Sequence, residues 1–518
     1  MSRKRRVIIY KPSTYGAGDG FDLGDGHVER FHRGFMPNST IQFLASLTPE
    51  SVSGADMEVV TVDEHIDNGQ GMELIRSSSK DTILAIAGTQ CHQFPRGLDV
   101  AGYALEHGLR HVVIGGPQIM TCDTSQFHDL GASFALSEAE GIWPEILEDA
   151  VRGELAPVYG SAKRYTGELS DSPVLKPPSQ KMLQRYVLPM LGIYPARGCP
   201  YTCNFCSVIK IAGRKVRTEP VSTTISSLKA ARAAGVKIVM FTSDNFNKSG
   251  SAPALLQAMI DEKINMPFMV QCDTQVVKQP ELIALLGKAG CYQMFLGVEA
   301  FNREILLAAH KTQNHPKAYS EIIRMCAEAG IATHFSNIIG FPTQTEADIL
   351  EHLDTLIELD PNVASFYILT PIPGTEQYDD FMSKGWVTAP SLDHMDAVHP
   401  TWSHPNISHK DLARLLFLCY RKFNSVSKIC KNLAFQSQWM KMRANLVGCV
   451  GLSAFSKVCG ILQREPMSAG FRRIKFDTGM DYRHLRKKHF GVEKIPLPQS
   501  LPLSAADEAL NRQAVLTA

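Results

Sequence analysis

The chain has 518 residues, more than one hydrophobic core usually accommodates, so its length predicts two or three domains. Its 53 basic and 52 acidic residues leave a formal net charge of +1. That balance argues against a nucleic-acid partner, because proteins that bind nucleic acids are usually more basic.

The sequence contains no targeting segment that its pattern would reveal. It has no uninterrupted run of about 18 apolar residues, so no membrane span is predicted. The basic N-terminus leads into a strand-like run at 7–10, which is too short for a signal-peptide core. Twelve cysteines in a chain of this length, without an export signal, predict a cytoplasmic protein with reduced thiols.

The first part of the chain alternates short apolar runs with helical patterns. Strands are predicted at 7–10, 57–62, 82–87, 111–114 and 134–136, and helices at 41–47, 98–107 and 142–151. This alternation predicts an N-terminal doubly wound, Rossmann-like α/β domain with a parallel sheet, over residues 1–152.

Ligands of such sheets bind at the carboxyl ends of the strands. The residues that follow the predicted strands and are candidates for ligand contact are Ser13, Thr89, Gln90, Gly115, Gly116 and Glu138. Glycine lets a backbone approach a ligand closely, but it also serves ordinary turns, so both interpretations stay open. Residues 153–188 are rich in proline, serine and lysine, which predicts a linker between domains.

Three cysteines follow the next apolar run, at 190–194, in a loop that contains glycine and proline. Cys199, Cys203 and Cys206 have the spacing C-x3-C-x2-C. Closely spaced thiolates bind zinc or an iron–sulfur cluster, and three of them leave one iron of a [4Fe–4S] cluster open. A structural zinc site normally has four ligands, so a distant fourth ligand or three free thiols are the alternatives.

A second series of strands and helices begins at this loop. Strands are predicted at 190–194, 238–242, 268–272, 293–298, 334–339 and 365–369, with helices at 221–234, 281–289, 319–329 and 346–358. Six β/α units over residues 189–385 predict a partial (β/α)6 TIM barrel, because a full barrel needs eight. The cysteine loop lies beyond the first of these strands, at the end where barrels carry their chemistry.

The pattern becomes helical over residues 386–495. Helices are predicted at 410–424 and 444–462, and the second is almost wholly apolar. A basic run follows it, with Arg472, Arg473, Lys475, Arg483, Arg486, Lys487 and Lys488. Such a helix lies on a membrane surface or, more often, packs over the open side of the barrel. Residues 496–518 are predicted to form a poorly ordered tail, and the other cysteines to be free thiols.

The cysteine loop, with Phe205 directly before its last cysteine, resembles the signature of the radical S-adenosylmethionine (SAM) enzymes. Three later strand ends resemble the segments of that family that contact SAM: 243–246, 297–299 and 338–342. The resemblance implies a [4Fe–4S] cluster on the three cysteines. It also implies SAM contacts from Phe205, Ser243, Asp244, Glu299 and the backbone at Ile339. For the two carboxylates, the alternative is an ordinary cap or ion pair.

The N-terminal half resembles the cobalamin-binding domain of one branch of these enzymes. The resemblance rests on the segments 62–65, 115–117, 138–140 and 143–144, and it implies that the strand-end residues named above contact cobalamin. A segment at 63–68 is similar to a motif that supplies an axial histidine to cobalt. It follows the second strand rather than the first, so a loop position is the better interpretation for His65. His92, after the third strand, is nearer the expected ligand face, but a loop position is the better interpretation there too.

Both resemblances together imply a cobalamin-dependent radical SAM methyltransferase that modifies a carbon of a small-molecule or lipid-like substrate. The catalytic residues stay unknown. The alternatives are a radical SAM cyclase, oxidase or rearrangement enzyme with non-methylating or absent cobalamin, and a non-catalytic protein that binds metal or corrinoid. An electron donor such as flavodoxin or ferredoxin is the implied protein partner, and peripheral membrane contact through the C-terminal helices is a further alternative.

Overall fold

The structure is a computed structural model that describes residues 3–13, 29–30, 36–67, 69–161, 167–435, 439–465, 481–505 and 507–509. Part of the predicted basic run (Arg472, Arg473 and Lys475) and the end of the predicted tail lie outside these residues.

The described strands are β1 Arg3–Lys11, β2 Glu29–Arg30, β3 Ser51–Val52, β4 Ala55–Asp63, β5 Ile83–Ile86, β6 His111–Gly115, β7 Ser133–Ala135, β8 Val158–Tyr159, β9 Met190–Ile193, β10 Ala196–Arg197, β11 Arg217–Thr218, β12 Ile238–Phe241, β13 Phe268–Cys272, β14 Cys291–Glu299, β15 Ala332–Ile339, β16 Val363–Ile368 and β17 Arg464–Glu465.

The α-helices are α1 Ser39–Leu47, α2 Glu64–Asp67, α3 Gln70–Arg76, α4 Phe94–Glu106, α5 Pro117–Thr121, α6 Ala139–Arg152, α7 Gln180–Leu183, α8 Val208–Ile211, α9 Val221–Ala233, α10 Ala252–Asp261, α11 Pro280–Ala289, α12 Arg303–Ala308, α13 Tyr319–Glu328, α14 Glu346–Leu359, α15 Glu376–Ser383, α16 His409–Phe423, α17 Val426–Ala434, α18 Trp439–Asn445, α19 Leu452–Leu462 and α20 Arg483–Phe490. Short 3-10 turns cover Cys91–Gln93, Ser125–Phe127, Phe246–Lys248, Thr274–Lys278, Pro316–Ala318 and Leu392–His394, and Leu446–Gly451 is a π-helix.

The N-terminal domain is a seven-stranded sheet in the order β3-β4-β1-β5-β6-β7-β8, parallel except for the β3–β4 pair. Its strands are apolar on both faces, so one core forms against α4 and another against α1 and α6. This arrangement confirms the predicted doubly wound sheet. The predicted boundary at residue 152 comes too early, because β8 lies beyond it and pairs with β7.

The barrel is a second sheet of six parallel strands in the order β9-β12-β13-β14-β15-β16, which is also their order along the chain. Alternate side chains such as Phe241, Leu296 and Phe366 point outward into one large core with the surrounding helices. Because β9 and β16 do not pair, the barrel is partial, as the six predicted β/α units require. Cys272 belongs to the outer core and faces away from the barrel interior.

The C-terminal helices extend both halves. Helix α16 covers the outer face of β16, where the Tyr420 hydroxyl bonds the backbone of Phe366. The apolar stretch that was predicted to cover the open side of the barrel lies instead under the amino-terminal ends of the strands. Gln293 Nε2, near the start of β14, donates to the carbonyl of Gly448 at 3.0 Å.

Two features of the C-terminus were not anticipated from the sequence. The described part of the basic run forms α20, which packs on α4 of the sheet domain, with Arg486 Nε 3.3 Å from Asp99 Oδ1. The predicted tail is ordered over residues 496–505. The Leu501 amide donates to the Thr121 carbonyl at 2.8 Å, and Lys210 Nζ donates to the Leu501 carbonyl at 2.6 Å. Backbone pairing of this kind leaves no signature in a proline-rich composition.

Candidate functional site

The cysteine loop follows β9, and a short pair of strands closes its base. The two-residue strands β10 and β11 pair antiparallel at its base. Gly198 precedes the first cysteine with φ of 104°, and a Cβ atom there would lie 2.3 Å from the Lys215 carbonyl oxygen, so only glycine fits. All residues from 199 to 211 are half-buried, so the loop lies at the mouth of the barrel rather than in its core.

The three predicted metal ligands lie close enough in this loop to influence one another's ionisation. Burial raises the pKa of Cys199 to about 11 and that of Cys206 to about 12, and the neighbouring Cys203 contributes to both shifts. Two amides hold the sulfur atoms: Asn245 Nδ2 is 3.3 Å from Cys199 Sγ, and Gln313 Nε2 is 3.7 Å from Cys203 Sγ. Binding a metal would therefore release protons from these thiols.

The donor chemistry of the loop fits an iron–sulfur cluster better than a single ion. Within the described residues, no three histidine, cysteine, aspartate or glutamate side chains lie close enough to bind one metal ion. A cubane needs a wider spacing, because each thiolate binds a different iron. Three soft sulfur atoms in one half-buried loop supply the ligand chemistry that such a cluster needs.

A buried ion pair lies beside the thiols. Lys311 Nζ is 2.7 Å from Glu299 Oε1, and it lies 5.7 Å from the centre of the Phe205 ring. Burial lowers the pKa of Lys311, but Glu299 and the thiols of Cys203 and Cys206 more than offset this effect and hold the pKa above its ordinary value. The sequence analysis missed Lys311, since nothing in its local sequence marks it as a neighbour of the cysteines.

The structure gives each residue predicted to contact SAM a partner within the protein. Asp244 Oδ2 accepts from the Gly198 amide at 2.8 Å, and Ser243 Oγ accepts from the Ala196 amide at 3.1 Å. Glu299 has a left-handed backbone, with φ of 63°, and its second oxygen accepts from Ser336 Oγ. The Ile339 side chain lies in the outer core, and its carbonyl accepts from the Leu369 amide.

A cavity of about 530 Å³ lies between the cysteine loop and the sheet domain. One wall comes from the barrel side, with Tyr194, Arg197, Ser207, Val208, Ile211 and Asp244. The opposite wall comes from the strand ends of the sheet domain, with Gly88, Gln90, Gly115, Gly116 and Glu138. Small and apolar side chains, including Ala85, Val113 and Ala135, continue the cavity along one face of the sheet.

The sheet-domain wall is mainly backbone. Gly116 has φ of 140°, and a Cβ atom there would lie 2.2 Å from the Thr89 nitrogen, so the two strand ends touch. Thr89 and Ser13, both predicted to contact a ligand, do not line the cavity. Thr89 Oγ1 bonds the Gly115 carbonyl at 3.1 Å, and Ser13 donates to Glu64 Oε2 from both its amide and its hydroxyl.

Two arginines from the barrel bind the predicted ligand residue Glu138. Arg217 Nη1 is 2.7 Å and Arg197 Nη1 3.4 Å from its carboxylate, and Arg197 also pairs with Glu140 at 2.6 Å. The carboxylate is therefore committed to joining the two domains. Sequence reasoning missed this cluster, because Glu138 and Arg217 are 79 residues apart.

The two histidines considered as cobalt ligands lie away from the cavity. His65 is half-buried in α2, with Nδ1 3.1 Å from Asp63 Oδ1. His92 lies in the 3-10 turn before α4. Among the described residues that line the cavity, none is a histidine.

Comparison with known proteins agrees with this geometry. Residues 193–356 match the family model described as the radical SAM superfamily. The bacteriochlorophyllide d C-12(1)-methyltransferase of Chlorobaculum tepidum is 24% identical over 332 residues, 62% of this chain and 70% of that protein. The hopanoid C-2 methylase of Rhodopseudomonas palustris is 24% identical over 283 residues, 53% of each chain.

The similarity in fold extends over nearly the full length of a solved structure. The radical SAM methyltransferase TsrM of Kitasatospora setae, solved with tryptophan and a SAM analogue, has a TM-score of 0.59 at 16% identity and covers 99% of both chains. Another structure of TsrM contains cobalamin and a [4Fe–4S] cluster. At this identity the likeness establishes the fold, and it confirms the predicted order of sheet domain, partial barrel and helical region.

Proposed function

Because residues 193–356 place this chain in the radical SAM superfamily, we propose that it is a cobalamin-dependent radical SAM enzyme that methylates a carbon atom of a small-molecule or lipid-like substrate. The observation that carries the proposal is the shared cavity. Arg197, Ser207 and Val208, on either side of the three cysteines, form part of one wall, and the glycine-lined strand ends of the sheet domain form the other. A ligand held by the sheet domain would therefore meet chemistry that takes place at the barrel mouth.

The protein's own residues have distinct tasks in this arrangement. Cys199, Cys203 and Cys206 bind the cluster, and the Lys311 ammonium offsets the negative charge that three thiolates bring. When bound, the cluster and SAM supply a radical that abstracts hydrogen, and cobalamin supplies the methyl group. Arg197 and Arg217 keep the two walls together through Glu138.

The interior of the barrel supports an apolar substrate. Met240, Phe295 and Tyr367 point inward, since their neighbours along each strand lie in the outer core, and all three are half-buried. Thioether and aromatic side chains offer a surface for flat or lipid-like molecules. The names of the two relatives, which act on a bacteriochlorophyllide and a hopanoid, agree with this substrate class.

The proposal can be tested before the substrate is known. The full chain is purified without oxygen, supplied with cobalamin, SAM and a flavodoxin or chemical reductant, and assayed for S-adenosylhomocysteine and 5′-deoxyadenosine. We expect both products, because methyl transfer to cobalamin and reductive cleavage of SAM each consume one SAM.

Variants separate the two reactions. Cys203→Ala should abolish 5′-deoxyadenosine and leave S-adenosylhomocysteine, since cobalamin lies on the other wall. Formation of 5′-deoxyadenosine without any S-adenosylhomocysteine would favour a cyclase or oxidase with non-methylating cobalamin. Formation of neither product by a protein that holds one zinc per chain would leave only a binding protein.

A further inference from the structure

Exposed large apolar side chains are concentrated in one region of the described chain. Of the fourteen such residues, eight lie between 426 and 462: Val426, Leu433, Met442, Leu446, Val447, Val458, Ile461 and Leu462. The four most exposed are Val426 at 65%, Leu433 at 63%, Ile461 at 57% and Leu462 at 56%. Apolar side chains scattered singly over a surface are ordinary, but a concentration of this kind marks a contact site.

The helical run that carries most of these residues lies along the protein. Lys441–Leu462 is 22 residues long with a mean hydropathy of 1.5 over its most apolar window, enough to cross a membrane by length and composition. However, one face is packed. A Cβ atom at Gly460 would lie 2.8 Å from the Arg421 nitrogen, and Lys441 Nζ donates to the carbonyls of Ala329 and Gly330. The helix is therefore fixed on its inner face and apolar on its outer face.

The charge of this region is predominantly positive, although the whole chain is nearly neutral. Residues 421–465 contain one acidic residue, Glu465, and eight basic ones: Arg421, Lys422, Lys428, Lys431, Lys441, Arg443, Lys457 and Arg464. Lys428 and Lys431 pair with Asp360. Arg421, Lys422 and Arg443 are exposed and, within the described residues, have no acidic partner.

We propose that the outer face of α17–α19 binds the surface of a membrane that contains anionic lipid. An apolar outer face with unpaired cations beside it fits the interfacial zone of a bilayer, where acyl chains meet acidic headgroups. A soluble protein partner would have to match both features, and a second copy of this face would bring like charges together. The surface lies at the amino-terminal end of the barrel, so the enzyme would rest on the membrane with its cysteine loop at the far end.

The test uses the full chain and sedimentation with vesicles of phosphatidylcholine, with and without phosphatidylglycerol. We expect sedimentation with the anionic vesicles, little with phosphatidylcholine alone, and release by high salt. The double variant Arg421→Glu/Lys422→Glu should weaken binding by at least about fivefold per charge. Lys317→Glu, an exposed lysine in the turn before α13 at the opposite end of the barrel, serves as its control.

The apolar contribution is tested by Ile461→Gln/Leu462→Gln, which should also reduce sedimentation. The matched control is Leu307→Gln/Met382→Gln, an exposed apolar pair on α12 and α15, away from the proposed face. Because all four side chains are exposed, the fold is expected to survive. Absence of binding to anionic vesicles, or equal binding by both pairs of variants, would overturn the proposal. So would a dimer in light scattering that Ile461→Gln/Leu462→Gln dissociates. None of these results would bear on the proposed methyl transfer, which is assayed without lipid.

Discussion

The barrel and the sheet domain both present the carboxyl ends of parallel strands to the shared cavity, but the groups at those ends differ in kind. The barrel end carries sulfur and charge: three thiols directly before the lining residues Ser207 and Val208, with the Lys311–Glu299 pair beside them. The sheet-domain end carries glycines, backbone and small apolar side chains. On the proposed function, this difference means that the barrel end would hold a small reactive group through strong ligands. The sheet end would hold a large ligand through shape.

The largest expected effect comes from removing one ligand at the barrel end. Cys203→Ala should lose essentially all cluster iron and all 5′-deoxyadenosine formation, because two thiolates do not retain a cubane. Iron analysis and product chromatography measure both effects. Cys430→Ala, an exposed cysteine on α17, is the matched control and should keep about four irons per chain. Equal iron contents in the two variants would show that Cys203 does not bind the cluster.

The sheet-domain wall should respond to shape rather than to ligand chemistry. Ala139→Trp places an indole in the cavity wall at the start of α6. We expect about a hundredfold weaker corrinoid binding, since overfilling a site costs about 3 kcal/mol, with unchanged iron content. Equilibrium dialysis against cobalamin measures the affinity. Glu145→Trp, on the exposed side of the same helix, should bind corrinoid normally, and equal loss in both variants would contradict the assignment.

The connection between the walls should be energetically important. Arg217→Met leaves the buried Glu138 with only the 3.4 Å contact to Arg197, and removing one partner of a buried ion pair costs about 3 kcal/mol in the free energy of unfolding. Chemical denaturation provides the measurement. Lys215→Met, two residues before Arg217, breaks the exposed ion pair with Glu168. It should lower the free energy of unfolding by less than about 1 kcal/mol. Similar costs for the two variants would show that the cluster does not join the domains.

The smallest expected effect concerns the pH dependence of stability, which differs between the barrel and the sheet domain. Burial lowers the pKa of His352 in the barrel to about 4, so this side chain stabilises the fold above pH 6.5 and loses that contribution as the pH falls towards 4. In the sheet domain, burial raises the pKa of Asp67 to about 6. This carboxyl group therefore adds to the stability of the fold as the pH falls from 6 towards its unfolded pKa near 4.

Replacing the imidazole should therefore flatten the pH dependence. The loss of unfolding free energy between pH 7 and pH 5 should be about 2 kcal/mol smaller in His352→Gln than in the unchanged protein. Urea titrations at the two pH values measure it. Thr355→Ser, on the same helix and without a titratable group, should retain the full loss. An undiminished loss in His352→Gln would show that this histidine does not stay neutral in the fold.

The sequence predicted the strands of both sheets closely, because strands buried on both faces are continuous apolar runs between helical patterns. It also placed the three cysteines at the correct end of the barrel. What it could not predict were partners from distant segments. Ser13 donates a hydrogen bond to Glu64, and Arg217 donates one to Glu138. Two strand-end residues that were predicted to contact a ligand are therefore bound within the protein.

Packing direction was the other limit. The apolar pattern of the C-terminal stretch predicted a helix correctly but not the end of the barrel it covers, because hydropathy carries no information about which of two apolar surfaces a helix meets. The same holds for Thr89, which follows a strand at the expected place. Its side chain turns to the Gly115 carbonyl of the neighbouring strand end, and residue spacing does not encode that rotation.

The most direct test of two cofactor-binding walls around one cavity is a joint analysis of iron, sulfide and corrinoid. It is made on the full chain, expressed with cobalamin and purified without oxygen. The account predicts about four irons, four sulfides and one corrinoid in each chain. One zinc per chain without sulfide, or a complete cluster with no retained corrinoid, would contradict it.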